Sequence, residues 1–324
     1  MKNIAVFAGG NSSEYEVSIK SGNNIFDQVD ETRYNKYLVI LKGRDWHVQI
    51  GEKAYPVDKN DFSFTRDGEK ILFDFAYITI HGNPGENGLL QGYLDMMGVP
   101  YGGCNVLASA LTFDKHTCNT YLKSFGVNVA NSVMLIRGME YDVNEIIGEV
   151  GLPCFVKPNA EGSSFGVTKV KEAGQLEEAL KTAFALCREV LIETFIDGTE
   201  LTCGVVKAGE LDFAMPVAEV IPKKEFFDFE AKYDPKMSDE IIPARISPEL
   251  THRIKTLSSM IYDILRCDGI IRVDYIVRDD EIFMLEVNTT PGMTSNSFVP
   301  KMVRAMGGTL RDVLTKIIES KLNG

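Results

Sequence analysis

The chain has 324 residues, of which 44% are apolar and 25% charged, a composition typical of a soluble globular protein with two or three domains. Its net charge of −12 argues against a nucleic-acid partner, because binding to phosphate backbones draws on clustered Lys and Arg. The sequence contains no run of roughly 18 apolar residues, the length of a membrane span, and no CxxC pair. We therefore expect a cytoplasmic protein with buried thiols and with neither a nucleic-acid nor a membrane partner.

The first third of the chain alternates between strand and helix patterns. The predicted elements are a strand at 3–8, a helix at 14–29, strands at 37–41 and 74–80, and a helix at 86–97. This order predicts an α/β domain with a mostly parallel sheet covered by helices. Ligands of such sheets bind beyond the C-terminal ends of the strands. The Gly-rich segments "GGNSSE" (9–14) and "HGNPGENG" (81–88) both fall at such ends.

The remainder of the chain predicts two further units with α+β elements. Residues 222–245 have little periodicity but carry aromatic side chains, which disordered segments lack, so we expect a lid loop there. The predicted domains are 1–114, 115–197 and 198–324.

A predicted hairpin near the C-terminus, "IIRVDYIVRDDEIFMLEVN" (270–288), carries polar side chains that are unusual in strands. A three-residue turn at 279–281 would pair Asp274 with Glu286 and Arg272 with Asn288. The opposite face would then be wholly apolar, with Val273, Tyr275, Val277, Phe283, Leu285 and Val287. A regular two-residue turn would separate Asp274 from Glu286. We therefore expect an odd-numbered turn or a compensating bulge.

Two carboxylates and one amide oxygen on one strand face suit a hard cation. Mg²⁺ takes oxygen ligands together with water and substrate phosphates, and this face carries no Cys or His for zinc. The alternative is an exposed strand face with ordinary charges. Arg272 and the following Gly/Ser/Thr-rich segment 289–297 favour a ligand-binding site.

Four other segments are candidate binding sites, each with a structural alternative. The Gly/Ser segment 157–166 can bind phosphate through backbone N–H groups or form a simple hairpin turn. Glu14 follows Ser12 and Ser13, either of which could be a helix N-cap, and is either a ligand or a first-turn acid. His81 ends a strand and is either structural or a site residue. Lys232 lies in the predicted lid, where it either contacts substrate phosphates or is an ordinary solvated loop charge.

Taken together, the motifs carry a specific resemblance. They are "GGNSSEYEVS", "HGNPGENGLLQGYLDMMGVPYGG", "ALTFDKHTCN", "FVKPNAEGSSFGVTKV", "EAKY" and "RVDYIV…FMLEVNTTPGMTSNSFVP". In this order and over nearly the whole chain, the sequence resembles the D-alanine–D-alanine ligases, ATP-grasp enzymes of peptidoglycan precursor synthesis. The resemblance implies three α/β domains with ATP between the central and C-terminal ones. ATP would phosphorylate one D-alanine carboxylate, and the amine of a second D-alanine would attack the acyl phosphate.

The resemblance also implies roles for individual residues. Two Mg²⁺ ions, for which Mn²⁺ can substitute, would be bound by Asp274, Glu286 and Asn288. ATP would contact Lys115, Lys157, Ser164, Glu193, Ile196, Glu200, Phe226, Lys232 and Leu285. The catalytic set would be Glu14, Ser163, Tyr233, Arg272 and the Gly292 backbone. D-Alanine would contact Glu14, His81, Ser297 and Phe298.

Some alternatives remain open at this stage. Asn87 and Asn296 depart from the family's usual Asp and His, whereas Tyr233 disfavours D-lactate and leaves D-serine possible as second substrate. Another ATP-grasp carboxylate–amine ligase would share the ATP and metal residues, and a noncatalytic nucleotide-binding regulator is a further alternative. A Rossmann dehydrogenase would need GxGxxG, which is absent. The resemblance also implies a homodimer.

Overall fold

The computed structural model describes residues 1–160, 162, 166–222 and 238–323. These ranges form three sheets with helices packed on them, so the predicted mixed α/β fold class is confirmed. None of the helices in these ranges combines the length and the apolar character needed to cross a bilayer.

The N-terminal sheet has eight strands and is mixed. Its strands in chain order are β1 (Lys2–Gly9), β2 (Tyr34–Lys42), β3 (Asp45–Ile50), β4 (Lys53–Asp58), β5 (Ser63–Arg66), β6 (Glu69–Leu72), β7 (Phe75–Ile78) and β8 (Tyr101–Gly102). Strands β2, β1, β7 and β8 are neighbours and run parallel, as predicted. Strands β3 to β6 extend the sheet in antiparallel fashion. This extension was not predicted, because its strands are short and carry many polar residues.

Three helices accompany this sheet: α1 (Tyr15–Gln28), α2 (Leu89–Met97) and α3 (Val106–Phe113). The middle of the chain then forms α4 (Lys115–Lys123), β9 (Ser132–Ile136), α5 (Val143–Val150), β10 (Cys154–Pro158), β11 (Thr168–Val170), α6 (Leu176–Leu186) and β12 (Glu189–Thr194). Its strands are antiparallel in the order β11-β10-β12-β9. Val156, Leu180 and Ile192 are buried in the core between this sheet and its helices.

The C-terminal part forms β13 (Thr199–Ala208), β14 (Leu211–Ala214), β15 (Ala218–Pro222), β16 (Ser238–Ile241), α7 (Pro248–Ile264), β17 (Gly269–Arg278), β18 (Glu281–Asn288), α8 (Phe298–Ala305) and α9 (Leu310–Leu322). The sheet order is β16-β15-β13-β17-β18, and β14 pairs with β13. Strand β16 corrects the prediction of a loop over the whole of 222–245, because residues 238–241 pair with β15. Residues 223–237 of that predicted lid lie outside the described residues.

The hairpin β17–β18 closes with a two-residue turn, so the predicted three-residue turn is wrong. Asp279 and Asp280 both have positive φ, 50° and 63°, and Arg278 pairs with Glu281. Positive φ at both central positions is the conformation that two-residue hairpin turns favour. The pairing then shifts between Asp274 and Tyr275, which leaves Leu285 as an extra residue in β18. The predicted compensating bulge is therefore confirmed.

The bulge changes which apolar residues face the core. Arg272 pairs with Asn288 and Asp274 with Glu286, as predicted, but Tyr275 now pairs with Met284. Ile282 and Met284 therefore pack in the core, in place of the predicted Phe283 and Leu285. Phe283 instead packs on the opposite face, with Ala130 and Ile196. The bulge adjoins a contact of β18 with the segment before β9, where the Met284 N–H donates to the Asn128 carbonyl over 2.9 Å.

Helix α1 packs tightly on the N-terminal sheet at Gly22. A Cβ atom at Gly22 would be 2.5 Å from Ala8 Cβ and 3.1 Å from Thr79 Oγ1. Such distances allow no side chain, so α1 can approach the sheet only with glycine at this position.

We expect Gly22→Ala to lower the free energy of unfolding by about 1–3 kcal/mol, because overpacking a tight interface costs that much. Gly148, in α5, is the matched control, since a Cβ there would meet nothing within 4 Å. Gly148→Ala should stabilise the protein by up to about 1 kcal/mol through helix propensity. Urea denaturation of both variants measures the two effects, and equal effects would contradict the tight packing.

Candidate active site

The polar face of strands β13, β17 and β18 contains a carboxylate whose position is fixed by several hydrogen bonds. Asp274 pairs across the sheet with Thr202 on one side and Glu286 on the other. Its Oδ1 accepts from Thr202 Oγ1 at 2.5 Å and from Arg272 Nε at 2.9 Å. Its Oδ2 accepts from Arg272 Nη2 at 2.8 Å and from Asn288 Nδ2 at 3.0 Å. These bonds fix both the position and the rotamer of the carboxylate.

The predicted metal ligands fit the chemistry of Mg²⁺. Asp274, Glu286 and Asn288 are hard oxygen donors at paired or adjacent positions of one sheet face. Mg²⁺ binds through one or two carboxylates and keeps water or phosphate as its other ligands. In the ranges that the structure describes, no group of three or more His, Cys, Asp or Glu is arranged to hold a metal ion. Two carboxylates and one amide suit a cation that keeps water or phosphate as its other ligands.

Arg272 lies on this face, between a carboxylate and an aromatic ring. Its guanidinium forms a two-point ion pair with Asp274 and lies 5.8 Å from the ring centroid of Phe298. Both members of the ion pair are largely buried, with side chains 15% and 13% exposed. The predicted catalytic Arg272 and the predicted substrate contact Phe298 are thus neighbours.

The sheet of the central region contributes a second buried ion pair. Lys157, on β10, and Glu193, on β12, form a salt bridge of 2.5 Å in which both side chains are less than 15% exposed. Asn119 Nδ2 also donates to Glu193, over 3.3 Å. The structure therefore brings together two residues that were both predicted to contact ATP.

The remaining described ATP candidates lie around these strands. Lys115 is the first residue of α4, and its backbone N–H donates to the Asn159 carbonyl over 3.3 Å. Ile196 is buried against Phe283, Leu285 is the bulged residue, and Glu200 pairs with Ile276 in β17. Five predicted site residues lie outside the described residues: Ser163, Ser164, Phe226, Lys232 and Tyr233.

Glu14 lies at the start of helix α1 and is only 6% exposed. Glu14 itself occupies the N-cap position, so the predicted N-cap at Ser12 or Ser13 is wrong. The Glu14 backbone N–H nevertheless donates to Ser12 Oγ over 3.2 Å. A Cβ atom on Gly162 would collide with the Glu14 carboxylate. Glycine at position 162 thus lets the main chain of this residue approach Glu14 closely.

His81 follows strand β7 and is buried, with 5% of its surface exposed. Its Nε2 lies 3.4 Å from Ser21 Oγ, and the ring also hydrogen-bonds with the Thr290 backbone. Burial lowers the pKa of His81, and the nearby Arg272 acts in the same direction, whereas the Glu14 carboxylate opposes the shift. The lowered pKa favours the neutral imidazole, which can both donate and accept a hydrogen bond.

Glu86 is a candidate site residue that the sequence analysis missed. Its Oε2 accepts from the Gly82 N–H at 2.7 Å, within the loop that carries His81. Burial raises the pKa of Glu86 to about 8, and the Glu14 and Glu286 charges add to this shift while the Gly82 hydrogen bond and Lys115 oppose it. Charges from all three parts of the chain thus act on one carboxyl group. Its place in a Gly-rich loop at a strand end was the signal that could have identified it.

The segment after β18 carries the predicted Gly292 and Ser297. A Cβ atom on Gly292 would be 2.9 Å from Ser297 Oγ, so glycine allows the two residues to lie side by side. Ser297 Oγ is 2.8 Å from Thr294 Oγ1 and accepts from the Thr294 N–H at 3.1 Å. These bonds form a compact turn at the N-terminus of α8.

The chain is similar to known proteins over nearly its whole length. Family models described as D-ala D-ala ligase N-terminus and D-ala D-ala ligase C-terminus match residues 3–104 and 121–319. A relative from Bacteroides fragilis (strain YCH46), named D-alanine--D-alanine ligase, is 55% identical over 99% of both chains. The chain belongs to the D-alanine–D-alanine ligase family.

Solved structures of this family superpose closely on the chain. The D-alanyl-alanine synthetase A of Vibrio cholerae gives a TM-score of 0.90 at 27% identity. The superposition covers 100% of this chain and 99% of the Vibrio cholerae chain. The VanG D-Ala:D-Ser ligase from Enterococcus faecalis gives a TM-score of 0.88 at 34% identity, with 99% of both chains covered. The fold is therefore shared with ligases named for two different second substrates.

In this D-alanine–D-alanine ligase family member, the raised pKa of Glu86 predicts a pH-dependent stability. The folded-state pKa of about 8 exceeds the ordinary value of 4.5, so folding favours the protonated carboxyl. That stability is present in full below 4.5 and is lost as the pH rises through about 8. The free energy of unfolding of the wild type should therefore fall relative to that of Glu86→Gln over this range.

Urea denaturation of both proteins at several pH values measures this difference. Glu281→Gln, at an exposed position in the hairpin, is the control for removing a carboxylate away from the site. A constant gap between the wild type and Glu86→Gln across the range would contradict the raised pKa.

Proposed function

We propose that this protein joins two D-alanines into D-alanyl-D-alanine at the expense of ATP, for peptidoglycan precursor synthesis. The observation that carries the proposal is the convergence of two groups of residues. The first group, Asp274, Glu286 and Arg272, provides charges for phosphoryl transfer. The second group is Glu14 and His81. The charges of both Glu14 and Arg272 act on His81, so the two groups are close together. Family membership over the whole chain supports the same reaction.

The first half of the reaction would take place on the polar sheet face. In the proposal, domains 115–197 and 198–324 bind ATP between them, while domain 1–114 contributes to the D-alanine site. Asp274, Glu286 and Asn288 would hold two Mg²⁺ ions, or Mn²⁺ in their place, which neutralise phosphate charge when bound. Lys115 and Lys157 would contact phosphates, and Glu193 and Glu200 the adenine and ribose.

The second half would take place between the first domain and the segment after β18. Glu14 would bind the ammonium of the first D-alanine, with the neutral His81 beside it. Arg272 and the Gly292 N–H would stabilise the negative charge that develops when the second amine attacks the acyl phosphate. Ser297 would donate its hydroxyl hydrogen to the carboxylate of the second D-alanine, with Phe298 next to it. Ser163, Tyr233 and Lys232 are further proposed contributors.

Phosphate release from ATP with Mg²⁺ and D-alanine tests the proposal directly. Release that requires D-alanine, and does not occur with L-alanine, supports dipeptide formation, and chromatography of the product identifies the dipeptide. D-Serine, in the presence of D-alanine, tests the second candidate function, which the similarity to a D-Ala:D-Ser ligase favours. Binding of ATP without amino-acid-dependent release would instead indicate a noncatalytic protein.

We expect Arg272→Ala to lower the turnover number at least roughly a hundredfold, because removing one preorganised donor to a developing oxyanion costs about 2.7–4 kcal/mol. Arg278 is the matched control, since it belongs to the same strand but is exposed, with its guanidinium 5.5 Å from the Phe283 ring centroid. Arg278→Ala should turn over at nearly the wild-type rate. Near-normal turnover in Arg272→Ala would refute the proposed role.

We also propose a cytoplasmic homodimer that forms through helices α2 and α3. Leu89 and Met96 are 64% and 77% exposed, and Leu107, on the neighbouring helix, is 59% exposed. Leu89 and Met96 are two helical turns apart and share a face, so the three side chains offer an apolar surface.

Leu107→Glu should lower the sedimentation coefficient to that of a monomer. Met139→Glu, at a 52% exposed position of the central region, should leave the coefficient unchanged, and equal behaviour of the two variants would contradict this interface.

A further inference from the structure

Helix α1 forms hydrogen bonds with both polar groups of one residue in the segment after β18. The Met293 N–H donates to Ser21 Oγ over 3.3 Å. On the next turn of the helix, Asn24 Nδ2 donates to the Met293 carbonyl over 2.6 Å. Met293 is 3% exposed and belongs to a buried apolar cluster that joins residues of the N-terminal sheet and of helix α1 to residues of the C-terminal part. One helix of the first domain thus fixes the main chain of the C-terminal domain at this residue.

These bonds act on the neighbouring residues through the planarity of the peptide unit. The Met293 N–H shares a rigid plane with the Gly292 carbonyl, and the Met293 carbonyl shares one with the Thr294 N–H. That Thr294 N–H in turn donates to Ser297 Oγ. The two bonds from α1 therefore fix the two peptide units that flank Met293, which carry the Gly292 carbonyl and the Thr294 N–H.

Helix α1, which makes these bonds, packs closely on the N-terminal sheet. Gly22 lies between the two bonding residues, and its close approach to Ala8 leaves no space for α1 to shift toward the sheet. Ser21 is fully buried and also contacts His81. The residues that bond to Met293 therefore belong to a helix that is packed closely on the sheet.

Asn24 is distinguished from its neighbour by the direction of its amide. Asparagine is a poor helix former, because its side chain competes for backbone hydrogen bonds. Asn23 does this, donating Nδ2 to the Ile19 carbonyl one turn back in the same helix at 2.8 Å. Asn24 instead donates outside the helix, to a carbonyl 269 positions away in the sequence.

We propose that Asn24, together with Ser21, is a positioning residue that fixes Gly292 and Ser297 for the second D-alanine. This inference rests on the proposed function, in which Gly292 stabilises the intermediate and Ser297 donates to the second carboxylate. Asn24 contacts neither substrate in this assignment. It acts through the Met293 main chain, so its loss should affect the second D-alanine and leave ATP binding unchanged.

Two variants of Asn24 test the anchoring independently of activity. Asn24→Asp keeps the shape of the side chain but places a carboxylate oxygen against the Met293 carbonyl, and Asn24→Ala removes the donor. Hydrogen exchange of the full-length protein, read by mass spectrometry, should accelerate in peptides covering 289–298 for both variants. Asn23→Ala is the matched control and should leave these peptides unchanged. Unchanged exchange in the Asn24 variants, or acceleration spread evenly over the chain, would overturn the anchoring.

Steady-state kinetics of the same proteins tests the consequence for the reaction. The kcat/KM for the second D-alanine should fall roughly 3- to 10-fold in both Asn24 variants, the range expected for the loss of one hydrogen bond. The KM for ATP should stay at the wild-type value, which a general loss of structure would not allow. Equal changes in both parameters, or no change in either, would overturn the positioning role.

The two measurements separate this inference from the proposed function. A wild-type protein that released no phosphate with D-alanine would contradict the proposed function, and the exchange experiment would still decide whether α1 anchors Met293. Ser21→Ala is less informative, because it removes the contacts with Met293 and with His81 together. Asn24 is therefore the position at which the anchoring can be tested alone.

Discussion

The pairing of Asp274 with Glu286 depends on one extra residue in strand β18. The two-residue turn at Asp279 and Asp280 sets a register that, continued without interruption, would place Glu286 on the core face. Leu285 restores the register, so that Asp274, Glu286 and Asn288 share the polar face while Met284 and Val287 stay in the core. The metal site proposed here, the pairing of Arg272 with Asn288 and the start of the Thr289–Ser297 segment all follow from that shift. Bulges are common next to active sites because they redirect side chains in this way.

The arrangement places charged groups where burial would be costly without partners. A buried carboxylate is stable only when paired or hydrogen-bonded. Asp274 meets this requirement with bonds from Thr202, Arg272 and Asn288, and Glu193 meets it with Lys157 and Asn119. Glu86 has a different environment, in which burial and neighbouring carboxylates raise its pKa. Strongly shifted pKa values cluster at functional sites, which agrees with the place of Glu86 beside the proposed substrate pocket.

Much of this organisation is predictable from the sequence, and each omission has its own physical cause. Strand parity predicts the partners of Asp274 and Arg272, because alternation holds locally and the apolar face must be buried. Parity cannot distinguish an odd turn from a bulge, so Phe283 and Leu285 were assigned to the wrong face. The antiparallel extension β3 to β6 was missed because its short strands carry weak patterns. Asn24 depends on a contact between distant segments, which no local pattern encodes. The loop position of Glu86 is a local signal, but its raised pKa depends on charges from distant segments.

The paired carboxylates give a further reason to regard this face as functional. Like charges directly opposite each other in a sheet destabilise it, and Asp274 lies opposite Glu286. A bulge-free hairpin would avoid the repulsion by turning Glu286 to the other face, but it would bury that charge in the apolar core. Arg272 and Asn288 form the next pair on the same face. They lessen the repulsion between the carboxylates by donating to Asp274. A hairpin selected for stability alone would carry apolar or neutral residues at these positions. Sites where local rules are broken and compensated are typically those that perform the function.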